Sequence, residues 1–578
     1  MKTFTFLFVL FFLTQVAFGQ NNIFPTNPLA EEIMLGNYNP ADYAASTVIN
    51  QPDDLKAMIN AQVNPDSLKS YLMQMNVFET RNTGSDTSSA TNGIGAARRW
   101  AFSKFQKISA DNENRLLPFF LQFDQNICGM GQHRNTCAIL PGTDATDPSI
   151  IIIEGHLDSR CEGLCDANCT AHGMDDNGSG SALVLELARV MSQFSFSHSI
   201  VFMVTTGEEQ GLFGAGAFAF YASQTNIAVK AVLNNDIVGG IICGKTSSPP
   251  SCPGENDIDS TQVRLFSASG KPKQLSRFIK LEYQEELQDL VSVPMLLSIM
   301  SAEDRSGRGG DHIPFRQNGF AAMRFTSANE HGDAGVGDPN YMDRQHTSRD
   351  VLGADTDDDM VIDSFFVDFN YLARNAVING VAASLAAIGP QTPDFDAFRA
   401  GDDSILVEIT DPFDFNHYRI FERSGLTDFD TIYTVVGTKT ATIPNSSGLS
   451  RYSVAAVDAN GIESLFTKEK FELSLPTGVN ELKPEAAKKV ATLLQNRPNP
   501  FDEATLISYF VNAPLPHESA FIVISDLQGR EVMRIPTALN QGLNEELYRH
   551  GYGVTGTFIY SLVVDGAILD SKRMIFAN

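Results

Sequence analysis

Short, almost uninterrupted apolar runs separated by helical stretches constrain the possible folds of this chain more than any other feature. The runs occupy residues 150–154, 199–205 and 229–235 and are rich in Ile and Val. Such runs are typical of strands that are buried on both faces of a mainly parallel sheet. Residues 181–194 lie between two of the runs and predict a crossover helix. The region therefore predicts α/β architecture, with a mainly parallel mixed sheet flanked by helices.

The pattern changes after Ile388, where Gly389, Pro390 and Pro393 end the last helix. Apolar and polar residues then alternate in strand fashion, which predicts a small β-sandwich over residues 392–470. A polar linker at 476–489 leads to a second β-rich block at 490–578. An α/β domain followed by two small β-sandwich domains accounts well for a chain of 578 residues.

The overall charge of the chain argues against two classes of binding partner, nucleic acids and anionic membranes. The chain carries a formal net charge of −27 at pH 7, with an isoelectric point near 4.7. Because nucleic acids and anionic membranes bind basic patches, we expect neither as a partner. Beyond the extreme N-terminus, no stretch has the roughly 18 consecutive apolar residues of a transmembrane helix, so no membrane insertion is expected.

The first residues predict a signal peptide. Lys2 provides the positive charge, and residues 4–13 form an apolar segment too short to span a bilayer. Ala17 and Gly19 fit the small-residue positions before a cleavage site. Residues 1–19 are thus predicted to be removed, and the mature protein to be secreted or held at the cell surface.

All seven cysteines lie in one part of the chain, between residues 128 and 252. An exported protein can keep disulfides. Two short-loop pairs are plausible, Cys128 with Cys137 and Cys243 with Cys252. A spaced triplet remains, in which one cysteine stays unpaired or bridges elsewhere; its members are Cys161, Cys165 and Cys169. Disulfides that staple a loop are favoured over a metal-thiolate site.

Acidic residues and histidines follow the apolar runs. His156 and Asp158 follow the first run, Glu208 and Glu209 the second, and Asp236 the third. A glycine-rich turn before the crossover helix adds Asp175 and Asp176, and His346 lies further along the chain. Each motif alone could be structural, since carboxylates also cap helix starts. Ligands of open α/β sheets, however, bind beyond the carboxyl ends of the strands.

Carboxylate and imidazole groups together suit zinc. Two histidines and three carboxylates can hold two ions if one carboxylate bridges them. A second carboxylate beside a ligand can act as a base on the attacking water. The sequence therefore predicts a two-zinc site at this edge of the sheet.

In their order and context these motifs resemble those of the co-catalytic zinc aminopeptidases of the bacterial leucyl aminopeptidase type. Relatives of that type include glutamate carboxypeptidase-like enzymes and glutaminyl cyclases. The resemblance covers residues 63–388, within a predicted zinc peptidase domain at 63–389, and implies two Zn²⁺ ions, peptide substrates and release of N-terminal amino acids.

The resemblance also implies a role for each residue. His156, Asp175 and Asp236 would bind one zinc, and Asp175, Glu209 and His346 the other, with Asp175 bridging. Glu208 would be the general base that activates a water between the two zinc ions and passes its proton to the leaving amine. Asp158 would orient His156. A cis peptide bond is expected between Asp175 and Asp176.

Several alternatives stay open at this stage. A carboxypeptidase or dipeptidase would share the same metal ligands, and a glutaminyl cyclase would use one zinc only. A surface-binding protein with an inactive α/β domain is a different class, disfavoured because Glu208 and the ligands are all present. Residues 20–62 are an N-terminal extension or pro-segment.

The C-terminal blocks carry two further resemblances. Residues 452–458, followed by Gly461, resemble the late strand of a fibronectin type III module. Residues 496–501, 526–530 and 556–560 resemble, in that order, the C-terminal sorting domain of type IX secretion in Bacteroidetes. The second resemblance implies the type IX secretion machinery as a partner.

Overall fold

The computed structural model describes the chain in fourteen segments. They are residues 20–242, 258–305, 308–328, 344–357, 359–400, 404–425, 427–444, 450–471, 491–501, 504–512, 519–526, 531–549, 556–565 and 567–577. The predicted signal peptide, the 476–489 linker, Cys243 and Cys252 lie outside these residues. The chain divides into two units, Met1–Leu475 and Pro476–Asn578.

A nine-stranded mixed sheet forms the centre of the first unit. Its strands are β1 (Asn21–Pro25), β2 (Leu117–Ile127), β3 (Met130–Leu140), β4 (Ile150–His156), β5 (Ser199–Thr205), β6 (Val229–Asn235), β7 (Gln262–Phe266), β8 (Leu296–Ile299) and β9 (Ala322–Ser327). Their order across the sheet is β1-β2-β3-β5-β4-β6-β9-β7-β8. The three apolar runs of the sequence are β4, β5 and β6.

The middle of the sheet is parallel, and the pairs from β1 to β5 at one side of it are antiparallel. On the other side β7 pairs antiparallel with β9 and in parallel with the edge strand β8. Strand β4 pairs in parallel with both β5 and β6, and β6 with β9. Every residue of β4 and of β5 is buried. Continuous burial explains their unbroken apolar sequences, because both faces of a parallel sheet are covered by helices. The predicted fold class is confirmed.

Nine α-helices cover the two faces of this sheet in the part of the chain described. They are α1 (Pro28–Met34), α2 (Pro52–Gln62), α3 (Pro65–Asn76), α4 (Gly93–Asp111), α5 (Gly180–Met191), α6 (Phe213–Thr225), α7 (Lys271–Glu282), α8 (His312–Gln317) and α9 (Phe369–Ile388). One core contains residues of α2, α3, α4, α5, α7 and α9, and a second core contains residues of α1, α6 and α8. Among the described helices, α9 alone is long and apolar enough to cross a membrane, yet 89% of its apolar window is buried inside the protein.

Shorter helical turns complete this domain. A 3₁₀ turn spans Pro40–Tyr43, and π-helical turns span Met174–Ser179 and Tyr283–Leu287. The first π-helical turn joins the end of β4 to α5, and residues 176 and 177 within it have non-helical backbone angles. A two-stranded ribbon, β10 (Gly353–Ala354) with β11 (Ser364–Phe365), precedes α9.

Residues 20–62 form part of the α/β domain and are not a separate extension. Strand β1 adds an antiparallel edge strand to β2, with Asn21 opposite Asp124. Ala30 and Ile33 of α1 and Leu55 and Ile59 of α2 are fully buried. The α/β domain therefore begins well before residue 63.

A seven-stranded β-sandwich follows α9. One sheet has the order β12-β13-β16 and the other β15-β14-β17-β18. The strands are β12 (Asp394–Arg399), β13 (Ser404–Thr410), β14 (His417–Arg423), β15 (Thr431–Val436), β16 (Thr440–Pro444), β17 (Arg451–Val457) and β18 (Lys470–Phe471). Phe466 packs at ring-centroid distances of 4.3 Å from Phe421 and 5.7 Å from Phe278 of α7. The sandwich thus shares an apolar interface with the α/β domain.

The second unit is also built from two sheets, with orders β19-β20-β23 and β22-β21-β24-β25. The strands are β19 (Ala491–Leu493), β20 (Ala504–Val511), β21 (Ala520–Ser525), β22 (Glu531–Pro536), β23 (Gly542–Arg549), β24 (Gly556–Val564) and β25 (Ala567–Phe576). Ile507, Ile522, Tyr548 and Leu562 are fully buried in its separate core.

Candidate active site

The predicted site residues come together at the carboxyl ends of the central strands. His156 is the last residue of β4, and Asp236 directly follows β6. Glu208 and Glu209 lie in the loop between β5 and α6. The last residue of this group, His346, lies in the segment before β10. Parallel pairing of β5, β4 and β6 places these strand ends side by side.

Asp176 lies between two histidines. Its Oδ1 is 3.1 Å from Nε2 of His156, and its Oδ2 is 3.2 Å from Nε2 of His346. On one side Asp236 Oδ1 is 3.6 Å from His156 Nε2. On the other side Glu209 Oε2 is 3.2 Å from His346 Nε2. Two groups of three ligand atoms result, each within 4.8 Å of one another, and they share Asp176.

The residues present fit two zinc ions with a bridging carboxylate. Imidazole nitrogens and carboxylate oxygens are ordinary zinc ligands. Glu209 Oε1 is buried with no hydrogen-bond partner, which is costly for a carboxylate unless a cation satisfies it. Burial raises the pKa of Glu209 well above its usual range, and the charge of Asp176 raises it further. The buried carboxylate of Glu209 therefore needs a positive charge beside it.

The pKa of His156 is also raised, but burial and the surrounding charges act on it in opposite directions. Burial by itself would lower the pKa of His156, but the carboxylates around it, Glu208 foremost, raise it well above its ordinary value. An excess of buried carboxylates would therefore hold a proton on His156 in the absence of metal. Metal binding would displace that proton, as expected for an imidazole ligand.

The prediction that Asp175 bridges the two ions is wrong. Its neighbour Asp176 lies between the two histidines instead. The Oδ1 of Asp175 accepts a hydrogen bond of 3.0 Å from the main-chain N–H of Gly239, away from both histidines. Consecutive side chains of this irregular turn point in different directions, and only Asp176 points between the histidines. The non-proline cis bond likewise joins Asp176 to Asn177 rather than Asp175 to Asp176.

Asp158 contacts the His156 ring through its main-chain oxygen rather than through its carboxylate. The ring Nδ1 of His156 lies 3.0 Å from the main-chain oxygen of Asp158, whereas the nearest carboxylate oxygen is 3.8 Å away. The carboxylate instead accepts hydrogen bonds of 3.3 Å from the main-chain N–H groups of Glu208 and Glu209, and one of 3.2 Å from Thr83 Oγ1. Asp158 therefore positions the glutamate loop with its side chain and the imidazole with its backbone.

Glu208 stands beside the ligands without belonging to either group. Its Oε2 is 3.9 Å from His156 Nε2, and its side chain keeps 11% of its surface exposed, against 2% for Glu209. Burial raises the pKa of Glu208 well above its usual range, while His156 opposes this effect. A carboxylate that reaches the metal region and solvent, but is not itself a ligand, is placed to exchange protons.

Sequence reasoning missed two buried residues that hold the site together. Both carboxylate oxygens of Asp350 accept main-chain hydrogen bonds, 3.0 Å from Asp175 and 2.9 Å from Asp176. Arg81, fully buried, donates to the main-chain oxygens of Leu157 (2.7 Å), Gly173 (2.9 Å) and His172. The sequence signal for Asp350 was its place four residues after His346. Arg81 had none, because it is far from every motif.

Three of the other histidines, His172, His312 and His331, lie away from the metal groups or outside the described residues. His312 is fully buried, with Nε2 3.2 Å from the main-chain oxygen of Glu303. His172 has its Nδ1 3.0 Å from the main-chain oxygen of Asn76. His331 is not among the described residues.

The cysteine prediction is partly wrong. Cys128 pairs with Cys165 rather than with Cys137, and Cys161 pairs with Cys169. Cys137 is free and buried in β3. The first disulfide joins the β2–β3 turn to the loop after β4, which sequence spacing could not indicate. Both disulfides staple the loop of the triplet, so its sulfur atoms are not available as thiolate ligands.

Comparison with known proteins places this site in a family. The profile described as "Peptidase family M28" matches residues 135–361, which include every ligand named above. A "Probable zinc metalloprotease" of Pyricularia oryzae is 31% identical over 377 residues, covering 61% of this chain and 71% of that protein. A protein of the same description from Pyrenophora tritici-repentis is 28% identical over 447 residues, covering 74% of this chain and 89% of that protein.

Solved structures include more distant neighbours. The Legionella pneumophila LapA aminopeptidase is 18% identical, with a TM-score of 0.41 over 60% of this chain and 78% of its own. The Macrostomum lignano glutaminyl cyclase is 15% identical, with a TM-score of 0.39 over 60% of this chain and 97% of its own. From its sequence relatives and its ligand set together, the chain belongs to peptidase family M28 and is a zinc metallopeptidase.

Proposed function

We propose that this protein is a secreted aminopeptidase that removes N-terminal amino acids from peptides with the aid of two zinc ions. The observation that carries the proposal is the sharing of Asp176 by two ligand groups, with the non-ligand Glu208 beside them. His156, Asp176 and Asp236 would hold one ion, and Asp176, Glu209 and His346 the other. When bound, the ions would polarise the scissile carbonyl and the attacking water.

Glu208 would carry out the proton transfers. Its carboxylate would accept a proton from the water as the water oxygen attacks the carbonyl carbon of the first peptide bond. The same carboxyl would then donate that proton to the leaving nitrogen as the C–N bond breaks. Asp158 would keep Glu208 at this position through the two main-chain hydrogen bonds of the loop. General acid–base catalysis of this kind contributes about 10²–10⁴-fold to rate.

The second part of the proposal concerns localisation, and it is based on the two β-domains and the N-terminal segment. The seven strands in sheets of three and four support a fibronectin type III-like module at residues 394–471. We further propose that residues 491–578 are a sorting domain for type IX secretion and that residues 1–19 are a signal peptide. Removing residues 491–578 should keep the enzyme in the cells of a host with that machinery, while the full chain appears in the medium. Equal release of both forms would refute the sorting role.

The activity is tested with aminoacyl anilides and the same compounds blocked at the N-terminus. Each is incubated with the purified protein, with a chelator, and after zinc is restored. We expect chelator-sensitive cleavage of the free-amine compounds only. If neither set is cleaved by protein that contains its zinc, the aminopeptidase proposal fails, and blocked dipeptides with a free carboxylate test the carboxypeptidase alternative.

Two variants separate the proposed roles of the adjacent glutamates. Glu208→Gln should retain zinc and lose turnover, because it removes the base but no ligand. Glu209→Gln should lose zinc as well as turnover. Equal zinc loss in both variants would contradict the assignment of Glu208 as a non-ligand.

A further inference from the structure

A polar cavity lies between the α/β domain and the β-sandwich, within the first unit. It encloses about 560 Å³. Its walls come from the start of α2, the end of α7 with the π-helical turn after it, and strands β14 and β17 of the sandwich. None of the five metal ligands or Glu208 lines it. The cavity is therefore separate from the site described above.

Acidic side chains outnumber basic ones in this cavity. Its lining contains two cationic side chains, Lys56 and Arg419, and five carboxylates: Asp53, Glu282, Glu285, Glu286 and Glu463. Lys56 is paired with Asp53 and Glu286. Arg419 is paired with Glu285 and with one oxygen of Glu463. The two cations are thus already paired, and carboxyl groups outnumber them by three.

Two of the carboxylates are buried without full compensation. Glu463 is 5% exposed, and its Oε2 is buried with no hydrogen-bond partner, although its Oε1 is 2.6 Å from Arg419 Nη1. Glu282 is 7% exposed, and among the described residues no side chain donates a hydrogen bond to it. Burial and the neighbouring glutamates raise the pKa of Glu282 well above its usual range, and burial raises that of Glu463 to about 7. Uncompensated carboxyls of this kind are costly in a fold unless a ligand meets them.

The size and arrangement of the cavity indicate the kind of cation. Among the described residues, the side-chain sets whose ligand atoms converge within 4.8 Å include no residue of this cavity. Its carboxylates are therefore spread too widely for a compact metal site. A volume of about 560 Å³ also exceeds that of a single ion and lies in the range of small-molecule sites. Carboxylates distributed around such a space suit the several N–H donors of an ammonium or guanidinium group.

We infer that this interdomain cavity binds an organic cation through Glu282 and Glu463, which receive its ammonium or guanidinium group. Such a group reaches the cavity either on a free polyamine or on the basic side chain of a peptide. Because both walls contribute a carboxylate, the bound cation also connects the sandwich to the α/β domain.

The test is isothermal titration calorimetry of the full-length protein with defined probes. Spermidine represents the free polyamine, the tripeptide acetyl-Gly-Arg-Gly-amide represents a basic peptide side chain, and calcium chloride represents a simple metal ion. The blocked peptide has no free N-terminus, so it does not act as an aminopeptidase substrate. The variants are Glu282→Gln with Glu463→Gln, and a matched control, Glu32→Gln with Asp111→Asn, which removes two exposed charges elsewhere.

We expect spermidine, the tripeptide or both to bind the wild type, and the cavity variant to weaken that binding at least tenfold. The control should bind within twofold of wild type. The responding probe identifies the source of the cation. Absence of binding by both organic probes, binding retained by the cavity variant, or binding of calcium alone would overturn the inference. Anilide cleavage and circular dichroism establish that the variant is folded, and the single variant Glu282→Gln serves if the double variant is not.

Discussion

The neighbouring aspartates of the glycine-rich turn allow the sharpest test of the site. Asp176 contacts both histidines, at 3.1 and 3.2 Å, whereas the Asp175 carboxylate accepts a main-chain hydrogen bond from Gly239 at 3.0 Å. Asp176→Asn and Asp175→Asn are the same chemical change, one residue apart. They therefore differ only in where the lost charge was pointing.

The structure predicts a large difference between them. Asp176→Asn removes a charged ligand from both metal groups, and losing metal assistance of about 4 kcal/mol would lower kcat/KM by about 10³-fold. Asp175→Asn keeps an amide oxygen that can still accept from Gly239. Its cost should stay near the value of one ordinary hydrogen bond, about 0.5–1.5 kcal/mol in stability, with less than a tenfold effect on kcat/KM.

Both variants are dialysed against a buffered chelator series, and zinc per chain is measured by mass spectrometry alongside kcat/KM. Asp176→Asn should release zinc at chelator strengths that leave wild type and Asp175→Asn loaded. The reasoning is refuted if Asp175→Asn loses zinc while Asp176→Asn keeps two ions per chain.

Four further changes test other parts of the structure. Glu208→Gln should lower kcat by about 10²–10⁴-fold with zinc content unchanged, measured by anilide turnover. Arg81→Met should lower the free energy of unfolding by about 2–5 kcal/mol, measured with urea, because it removes three hydrogen bonds from a buried guanidinium to main-chain oxygens. Replacing Cys128 and Cys165 by Ser opens a loop with a sequence separation of 37 and should cost about 3–4 kcal/mol in the same assay. For Glu463 the pKa is raised to about 7, so the ligand-free protein loses stability as pH rises from the ordinary value of 4.5 through 7. Glu463→Gln should therefore raise Tm more at pH 8 than at pH 5.

Each of these expectations has a result that contradicts it. Zinc loss in Glu208→Gln would make Glu208 a ligand. Wild-type stability of Arg81→Met would mean that water satisfies the carbonyl groups. A serine double variant as stable as wild type would show that the loop adds no constraint on the unfolded chain. An equal change in Tm at both pH values would show that Glu463 does not change its ionisation between pH 5 and pH 8.

The sheet and the location of the site could be predicted because one physical cause determines both. Burial on two faces makes β4 and β5 mostly apolar and gives β6 an apolar centre, and the polar residues that follow these runs lie at one edge of the sheet. His156, Glu208 and Asp236 follow directly from that reasoning. His346 does not follow a strand; the residues alone offer it as a second imidazole, and the resemblance assigns it to a zinc ion.

The errors concern side-chain direction and contacts between distant segments. In the turn before α5, residues 176 and 177 leave helical geometry, and no pattern of residue types shows which aspartate then faces the histidines. The pairing of Cys128 with Cys165 depends on where the loop after β4 crosses the β2–β3 turn. The contacts of Asp350 and Arg81 depend in the same way on the folded positions of loops.

The dispersal of the ligands along the chain also decides when metal can be acquired. His156 and His346 are separated by most of the α/β domain, and the two aspartates and Glu209 come from three further loops. An unfolded chain cannot gather these side chains around an ion, so folding has to precede loading. Zinc then acts as a ligand of the native state alone, and each tenfold increase in its free concentration above the dissociation constant adds about 1.4 kcal/mol to the resistance of the domain to unfolding. Until it is loaded, the newly folded enzyme carries a cluster of repelling carboxylates, and it is most vulnerable to proteolysis during this interval.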